Sequence, residues 1–86
     1  MEVKKGSKVR SKAGRDKGID FMVIAVEGDY VLLADGNMRK VDNPKKKKLK
    51  HIQPSEGFSQ FIADKLETVG KVTNAEVRKA LAEISS

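Results

Sequence analysis

The chain has 86 residues, a formal net charge of +6, no cysteine and one histidine. This length suits one small domain with a modest core, and the lack of cysteine excludes disulfides and thiolate chemistry. With His51 as the only histidine, we expect neither a histidine zinc site nor a serine–histidine triad, and therefore no enzyme activity, no cofactor and no small-molecule substrate.

Residues 1–53 have the pattern of short strands joined by turns. Apolar and polar residues alternate over 7–12, which predicts an edge strand with one buried face. Residues 20–27 are apolar on both faces, as expected of a central strand. A tight connection at 27–29 then leads to a further β-rich run at 30–34.

A hairpin is predicted after this run. Asp35 and Gly36 are typical of a two-residue turn in which both central positions have positive φ, and a short strand over 38–41 follows. Pro44 ends that strand because proline donates no ladder hydrogen bond, and residues 49–52 are the last strand. Five short antiparallel strands with brief connections predict a small closed barrel.

Residues 54–86 change to a helical period. The apolar stripe of the first helix, which ends at Gly70, consists of Phe58, Phe61, Ile62, Leu66 and Val69. Thr73 and Glu76 form a capping box at the start of a second helix, and Val72 and Val77 have the spacing of a hydrophobic staple. We therefore predict a barrel at 1–53 and a helical pair at 54–86, with the boundary at 53–57. The Phe58–Phe61–Leu66 stripe is expected in the core, although a partner protein is an alternative occupant.

The positive charge is concentrated in the predicted barrel. Residues 1–53 contain 14 Lys or Arg and 7 Asp or Glu. Residues 54–86 contain 4 Lys or Arg and 5 Asp or Glu, so that half is nearly neutral. A basic domain of this kind indicates nucleic acid or an anionic membrane surface. No basic amphipathic helix is visible in 1–53, and the longest apolar run has six residues, far short of the roughly 20 that span a bilayer. We expect a cytoplasmic protein that binds nucleic acid and not a membrane.

A loop at residues 12–18 is the first candidate site. Its candidate RNA-binding residues are Lys12, Gly14, Arg15, Lys17 and Gly18. Glycine allows the backbone to approach a phosphate closely, and Arg15 can bind phosphate through two donors or stack on a base. Asp16 is expected to pair with a neighbouring cation. The alternative is that the glycines only satisfy turn geometry and the charges face water.

A lysine run is the second candidate site. Its residues are Lys45, Lys46, Lys47, Lys48 and Lys50, in a segment held between two predicted strands. Adjacent ammonium groups repel one another by about 1 kcal/mol per close pair even in water, and a polyanion relieves that repulsion. The alternative is a solvated loop. Tyr30 and Phe21 have rings that can stack on bases, but we expect them to pack in the core, and His51 to be an ordinary strand residue.

In combination, three motifs resemble a known family. Residues 9–18 followed by an apolar strand look like a KOW motif, and residues 11–18, 30–36 and 39–53 are similar, in order, to the large-subunit ribosomal protein family fourteen-e and its small bacterial relatives. The resemblance covers residues 6–53 and implies a five-stranded SH3-like barrel that binds ribosomal RNA. It also implies that the loop at 12–18, the lysine run and Arg39 contact the RNA backbone. The family's long basic C-terminal extension is replaced here by the near-neutral helical pair.

Two functional hypotheses follow, from different classes. The first is an RNA-binding protein associated with the ribosome, in which two neighbouring loops neutralise phosphates. The second is a protein-interaction module of the transcription or translation machinery, with the C-terminal helices as a surface for a ribosomal or regulatory protein. Electrostatics alone does not distinguish RNA from double-stranded DNA, which is a third option.

Overall fold

The computed structural model describes residues 2–85, which form a five-stranded antiparallel sheet followed by two helices. In chain order the elements are β1 (Ser7–Ser11), β2 (Asp20–Glu27), β3 (Tyr30–Ala34), β4 (Lys45–Lys48), a 3-10 turn (Leu49–His51), β5 (Ile52–Phe58), α1 (Gln60–Thr68) and α2 (Asn74–Ser85). The strand order in the sheet is β4-β3-β2-β1-β5. The sequence therefore predicted the number of strands, their antiparallel pairing and the two helices correctly.

Strand β2 is the centre of the sheet and belongs to two hydrophobic cores. Successive side chains of a strand point to opposite faces. Phe21 and Val23 pack with buried residues of β1, β3 and β5 on one face, whereas Met22 packs with both helices on the other. This explains why β2 is apolar on both faces.

The pairing of β1 and β5 corrects two predictions. The strand predicted over 7–12 is not at an edge, because β1 lies between β2 and β5. The predicted boundary at 53–57 lies inside β5, whose Pro54 pairs with Val9. Since β5 is at the end of the sheet order, proline's missing donor is tolerated there.

The segment from Ala34 to β5 also differs from prediction. No strand forms over 38–41, and among residues 2–85 only glycines have positive φ, so Asp35 does not take the expected turn conformation. Instead its Oδ1 accepts hydrogen bonds from the backbone amides of Asn37 and Arg39, at 2.9 and 2.8 Å. The lysine run forms strand β4, and most of the strand predicted over 49–52 is the 3-10 turn.

Helix α1 starts at Gln60, after a cap that was not predicted from the sequence, and it ends before Gly70 as predicted. Ser59 Oγ caps α1 by accepting from the Ile62 amide, at 3.1 Å. At α2 the Thr73 amide donates to Glu76 Oε1 at 2.8 Å and the Glu76 amide to Thr73 Oγ1 at 3.1 Å, which confirms the capping box. Val72 and Val77 are both buried in the helix-side core.

The apolar stripe of α1 is only partly in the core. Ile62 and Leu66 are buried, but Phe61 is 58% exposed and Val69 is 59% exposed. Phe58 ends β5 and is 39% exposed, with Lys4 Nζ 4.7 Å from its ring centroid. The core prediction is therefore wrong for Phe61, because Met22 and α2 cover only one side of α1, and for Phe58, which belongs to β5 and is outside both buried clusters.

Candidate functional site

The loop at 12–18 joins β1 to β2 and is closed by backbone hydrogen bonds. The Gly18 amide donates to the Ser11 carbonyl and the Ile19 amide to the Asp16 carbonyl, both at 2.9 Å. Gly14 has φ +86° and Gly18 has φ +88°, conformations that other residues adopt only at a cost. The glycines therefore fix the shape of the loop.

Asp16 connects this loop to the lysine residues of β4 through an ion pair, which we call the Asp16–Lys47 tie. Its Oδ1 accepts from Lys47 Nζ at 2.6 Å and from Ser11 Oγ at 2.7 Å, and Lys47 also donates to the Ala13 carbonyl at 2.7 Å. Asp16 and Lys47 are each only 8% exposed. The second carboxylate oxygen of Asp16, Oδ2, is buried and accepts no hydrogen bond from residues 2–85, but Lys45 Nζ lies 3.6 Å from it. The two predicted basic segments are thus adjacent, and a buried ion pair joins them.

The ion pair sets the charge state of Asp16. Burial acts to raise the pKa of this carboxyl group, but the hydrogen bonds from Lys47 and Ser11 and the charges of Lys47 and Lys45 outweigh it. The pKa of Asp16 is lowered to about 2. The carboxylate is therefore ionised at neutral pH, and it neutralises one lysine inside the protein.

The cations of the loop point away from this tie. Lys12, Arg15 and Lys17 are exposed, and among residues 2–85 their side chains have no hydrogen-bond or ion-pair partner. The Lys12 amide donates to the His51 carbonyl at 2.9 Å, which places the loop beside the 3-10 turn that carries exposed Lys50. One surface therefore presents cations from both segments.

Strand β4 divides its four lysines between two faces. Lys45 and Lys47 point toward the loop and Asp16, as the two ion pairs show. Lys46 and Lys48 lie on the opposite face, with Nζ atoms 4.9 and 5.9 Å from the ring centroid of Tyr30. Lys47 was predicted to bind RNA, but it is buried and its ammonium group is hydrogen-bonded to Asp16 and Ala13. It therefore stabilises the fold and is not available at the surface.

Arg39 lies in the loop between β3 and β4. Met22 pairs with Ala34 and Leu33 with Lys45, so this loop leaves the sheet at the same end as the loop at 12–18. The guanidinium of the partly exposed Arg39 makes a long contact, 3.5 Å, with the Asn43 carbonyl.

Helix α2 holds the Arg39 loop in place. Asn74 Oδ1 accepts from the Val41 amide at 2.8 Å, and the Arg78 guanidinium donates to the Gly36 carbonyl. A Cβ at Gly36 would collide with the backbone carbonyl of Asn74. The helical pair thus positions a third basic segment, a role that the sequence did not indicate.

Sequence reasoning missed Ser11 and the separate role of Lys47. The available signal was the period-two alternation of a strand, which would have placed Lys45 and Lys47 on one face. Ser11 had no such signal, because its contact with Asp16 depends on the closed shape of the loop.

Within residues 2–85 no group of three or more His, Cys, Asp or Glu side chains is placed to hold a metal ion. Neither helix of that part is long and apolar enough to cross a membrane. The chain matches no protein-family model, and no curated protein is significantly similar to it in sequence.

Proposed function

We propose that this protein binds structured RNA, with ribosomal RNA as the expected target, through one cationic surface built from the loop at 12–18, β4 and the 3-10 turn. The observation that carries the proposal is the Asp16–Lys47 tie, which holds two basic segments side by side on a rigid sheet. Exposed cations with fixed spacing suit the sugar-phosphate backbone, since phosphate contacts determine position and register. The protein would act in the cytoplasm, as a binding protein without catalytic activity.

We further propose that the sheet is a closed, SH3-like barrel of the KOW type. Support comes from the 3-10 turn, which joins β4 and β5, the two end strands of the sheet order. Hydrogen bonds hold both ends of the turn. The Leu49 amide donates to the Asp29 carbonyl at 2.8 Å, and the His51 carbonyl accepts from the Lys12 amide at 2.9 Å. A turn of three residues keeps the two end strands close, as closure requires.

The proposed contact residues are exposed, except that Arg39 and Lys45 are only partly exposed. They are Lys12, Arg15, Lys17, Arg39, Lys45, Lys46, Lys48 and Lys50, with the backbone at Gly14 and Gly18 available for close approach. Lys47 is left out because its ammonium group is already bound inside the protein. RNA helices are recognised largely by shape and backbone, so we expect limited dependence on base sequence.

Charge reversal in the loop tests the proposal. We expect the double variant Arg15→Glu and Lys17→Glu to bind structured RNA at least tenfold more weakly, because two backbone contacts become repulsive. The matched control is Lys71→Glu with Lys79→Glu, which makes the same change in net charge at two exposed residues near and on the helices. Filter binding and thermal melting would be measured for both. Wild-type affinity in the loop variant, or equal losses in the two variants, would count against the loop.

A second candidate function, binding of a protein partner, is favoured by one observation. Phe61 and Val69 are large, apolar and more than half exposed on α1. Affinity purification with and without nuclease separates the two functions. Under the RNA proposal the partners disappear after nuclease treatment, whereas partners that survive nuclease and are lost on Phe61→Ser would support the protein-binding function.

The identity of the RNA can be tested in cells. We expect crosslinking followed by sequencing of the bound RNA to recover ribosomal RNA fragments, and the Arg15→Glu, Lys17→Glu variant to lose them. Enrichment of DNA, or of unrelated messenger RNA alone, would contradict the ribosomal target.

A further inference from the structure

Tyr30 is a partly exposed aromatic residue of the sheet. It begins β3 directly after the turn that follows β2, and it is half-buried, whereas its neighbour Val31 is fully buried. Lys46 and Lys48 both approach its ring, and among residues 2–85 its hydroxyl group has no hydrogen-bond partner. The ring is thus a partly exposed aromatic surface with two flexible lysine side chains over it, which a stacking base would displace.

An open pocket of about 390 Å³ adjoins this ring. It is lined by Asp29, Tyr30, Lys48, Leu49 and Lys50. The pocket combines an aromatic side chain with two ammonium groups and one carboxylate. Lys50 is exposed and has no ion-pair partner in the described chain.

These groups match the chemistry of a nucleotide. A base supplies a flat π surface for an aromatic ring, and base–aromatic stacking is tolerant of sequence because every base has such a face. Its phosphate supplies the negative charge that Lys48 and Lys50 lack from the protein. A base inside a duplex is already stacked, so the occupant has to be unpaired.

We propose that this pocket binds one unpaired nucleotide of the RNA, with the base stacked on Tyr30 and the adjacent phosphate bound by Lys48 and Lys50. The inference rests on the proposed function, since it assigns a second contact to the same RNA. It makes the substrate class more specific: a paired RNA segment next to a bulge or loop.

The geometry of β4 connects this pocket to the loop at 12–18. Lys47 points to Asp16 on one face of the strand, and Lys48, its neighbour, points to Tyr30 on the other. Lys47 and Lys48 are consecutive in β4, so one short strand links the loop at 12–18 to the pocket. The paired segment would contact the loop and the unpaired nucleotide would occupy the pocket.

Intrinsic fluorescence gives a direct test, because Tyr30 is the only tyrosine of the chain and there is no tryptophan. The probes are an RNA hairpin with one bulged uridine and the same hairpin without the bulge. Their phosphate counts are nearly equal, so the electrostatic part of binding is matched. We expect the bulged hairpin to quench Tyr30 saturably and to bind roughly tenfold more tightly, whereas the paired hairpin binds without quenching.

Variants at position 30 complete the test. Tyr30→Leu is expected to abolish the preference for the bulge and Tyr30→Phe to keep it, since a phenyl ring still stacks. Thermal melting of both variants checks that they remain folded. Equal quenching by the two hairpins, absence of quenching, or a bulge preference that survives Tyr30→Leu would overturn the inference.

The same titrations separate this inference from the proposed function. If both hairpins bind with equal affinity and Tyr30 is not quenched, the nucleotide pocket is rejected and the proposed RNA binding is retained. If the variant Arg15→Gln, Lys17→Gln keeps full affinity while the bulged hairpin still quenches Tyr30, the pocket is retained and the role of the loop at 12–18 is rejected. If the wild-type protein binds neither hairpin, both proposals are overturned.

Discussion

At the scale of single residues, the four consecutive lysines of β4 have different roles. Lys47 is 8% exposed and donates hydrogen bonds to the Asp16 carboxylate and the Ala13 carbonyl. Lys46 is exposed near Tyr30, and its Nζ lies 3.8 Å from Glu27 Oε1. Removing one partner of a buried ion pair leaves an uncompensated buried charge, whereas exposed pairs contribute little. The same chemical change should therefore have different consequences at adjacent positions.

Replacing Lys47 tests this difference. We expect Lys47→Met to lower the free energy of unfolding by about 3 kcal/mol, because the buried Asp16 carboxylate loses its main donor. The matched control Lys46→Met should change it by less than about 0.5 kcal/mol. Urea unfolding of both variants gives the two values. Equal stabilities would show that the buried tie has no structural role.

Asp16 also predicts a dependence of stability on pH. Its pKa is lowered to about 2 in the folded protein, against about 3.9 for an unperturbed aspartate. A lowered pKa stabilises the fold above the unfolded value, and that stability is lost as the pH falls toward the folded value. The difference in unfolding free energy between the wild type and Asp16→Asn should therefore narrow by about 2 kcal/mol from pH 5 to pH 2. A constant difference over this range would contradict the assigned ion pair.

At the scale of elements, α2 determines where the Arg39 loop lies. Two glycines in the connections of β3 have similar positive φ, +76° at Gly36 and +61° at Gly28, but different surroundings. A Cβ added at Gly36 would collide with the Asn74 carbonyl, whereas one added at Gly28 would meet open space. Alanine at either position carries the strain of a left-handed backbone, about 1–2 kcal/mol. Only at position 36 does the added Cβ also meet α2.

The pair of alanine variants isolates that contact. We expect Gly36→Ala to be at least 1 kcal/mol less stable than Gly28→Ala, since a carbonyl of the helix start has to move as well. Chemical denaturation measures the difference. Backbone NMR shifts at Val41 and Asn74 should change in Gly36→Ala alone. Matching behaviour of the two variants would mean that α2 does not hold the loop.

Local signals explain which elements the sequence predicted. The apolar run of β2, the capping box of α2 and the staple Val72–Val77 depend on residues close in the chain, and all three are confirmed. Strand β4 was missed because lysine is a poor strand former, and its strand conformation comes from pairing with β3. The extent of β5 was missed because its pairing with β1 outweighs Pro54.

The candidate site was predictable only in part, for the same reason. The proximity of the two basic segments was predicted, and the Asp16–Lys47 ion pair confirms it. The burial of Lys47 depends on the register of β4 against β3, where Lys47 pairs with Val31, and a run of identical residues contains no information about register. The half-exposed Tyr30 was expected in the core, and its position at the start of β3 leaves part of the ring uncovered.

At the scale of the whole molecule, internal contacts hold basic segments from three parts of the chain in place. The helices pack against Met22, while the loop at 12–18 and β4 are tied together by the Asp16–Lys47 pair. This arrangement predicts that RNA binding is an electrostatic process with a strong dependence on salt. With about six to eight phosphates contacted, log affinity should fall against log salt concentration with a slope of about −4 to −7.

The most direct test of the shared cationic surface is this slope in the wild type and in the charge-neutralised variant Arg15→Gln, Lys17→Gln. The dissociation constant for one structured RNA would be measured over a salt series, with Lys71→Gln, Lys79→Gln as the control. We predict a slope less steep by about 1.5 in the loop variant, because two phosphate contacts are lost, and no change in the control. An unchanged slope and affinity in the loop variant would show that these cations do not contact RNA.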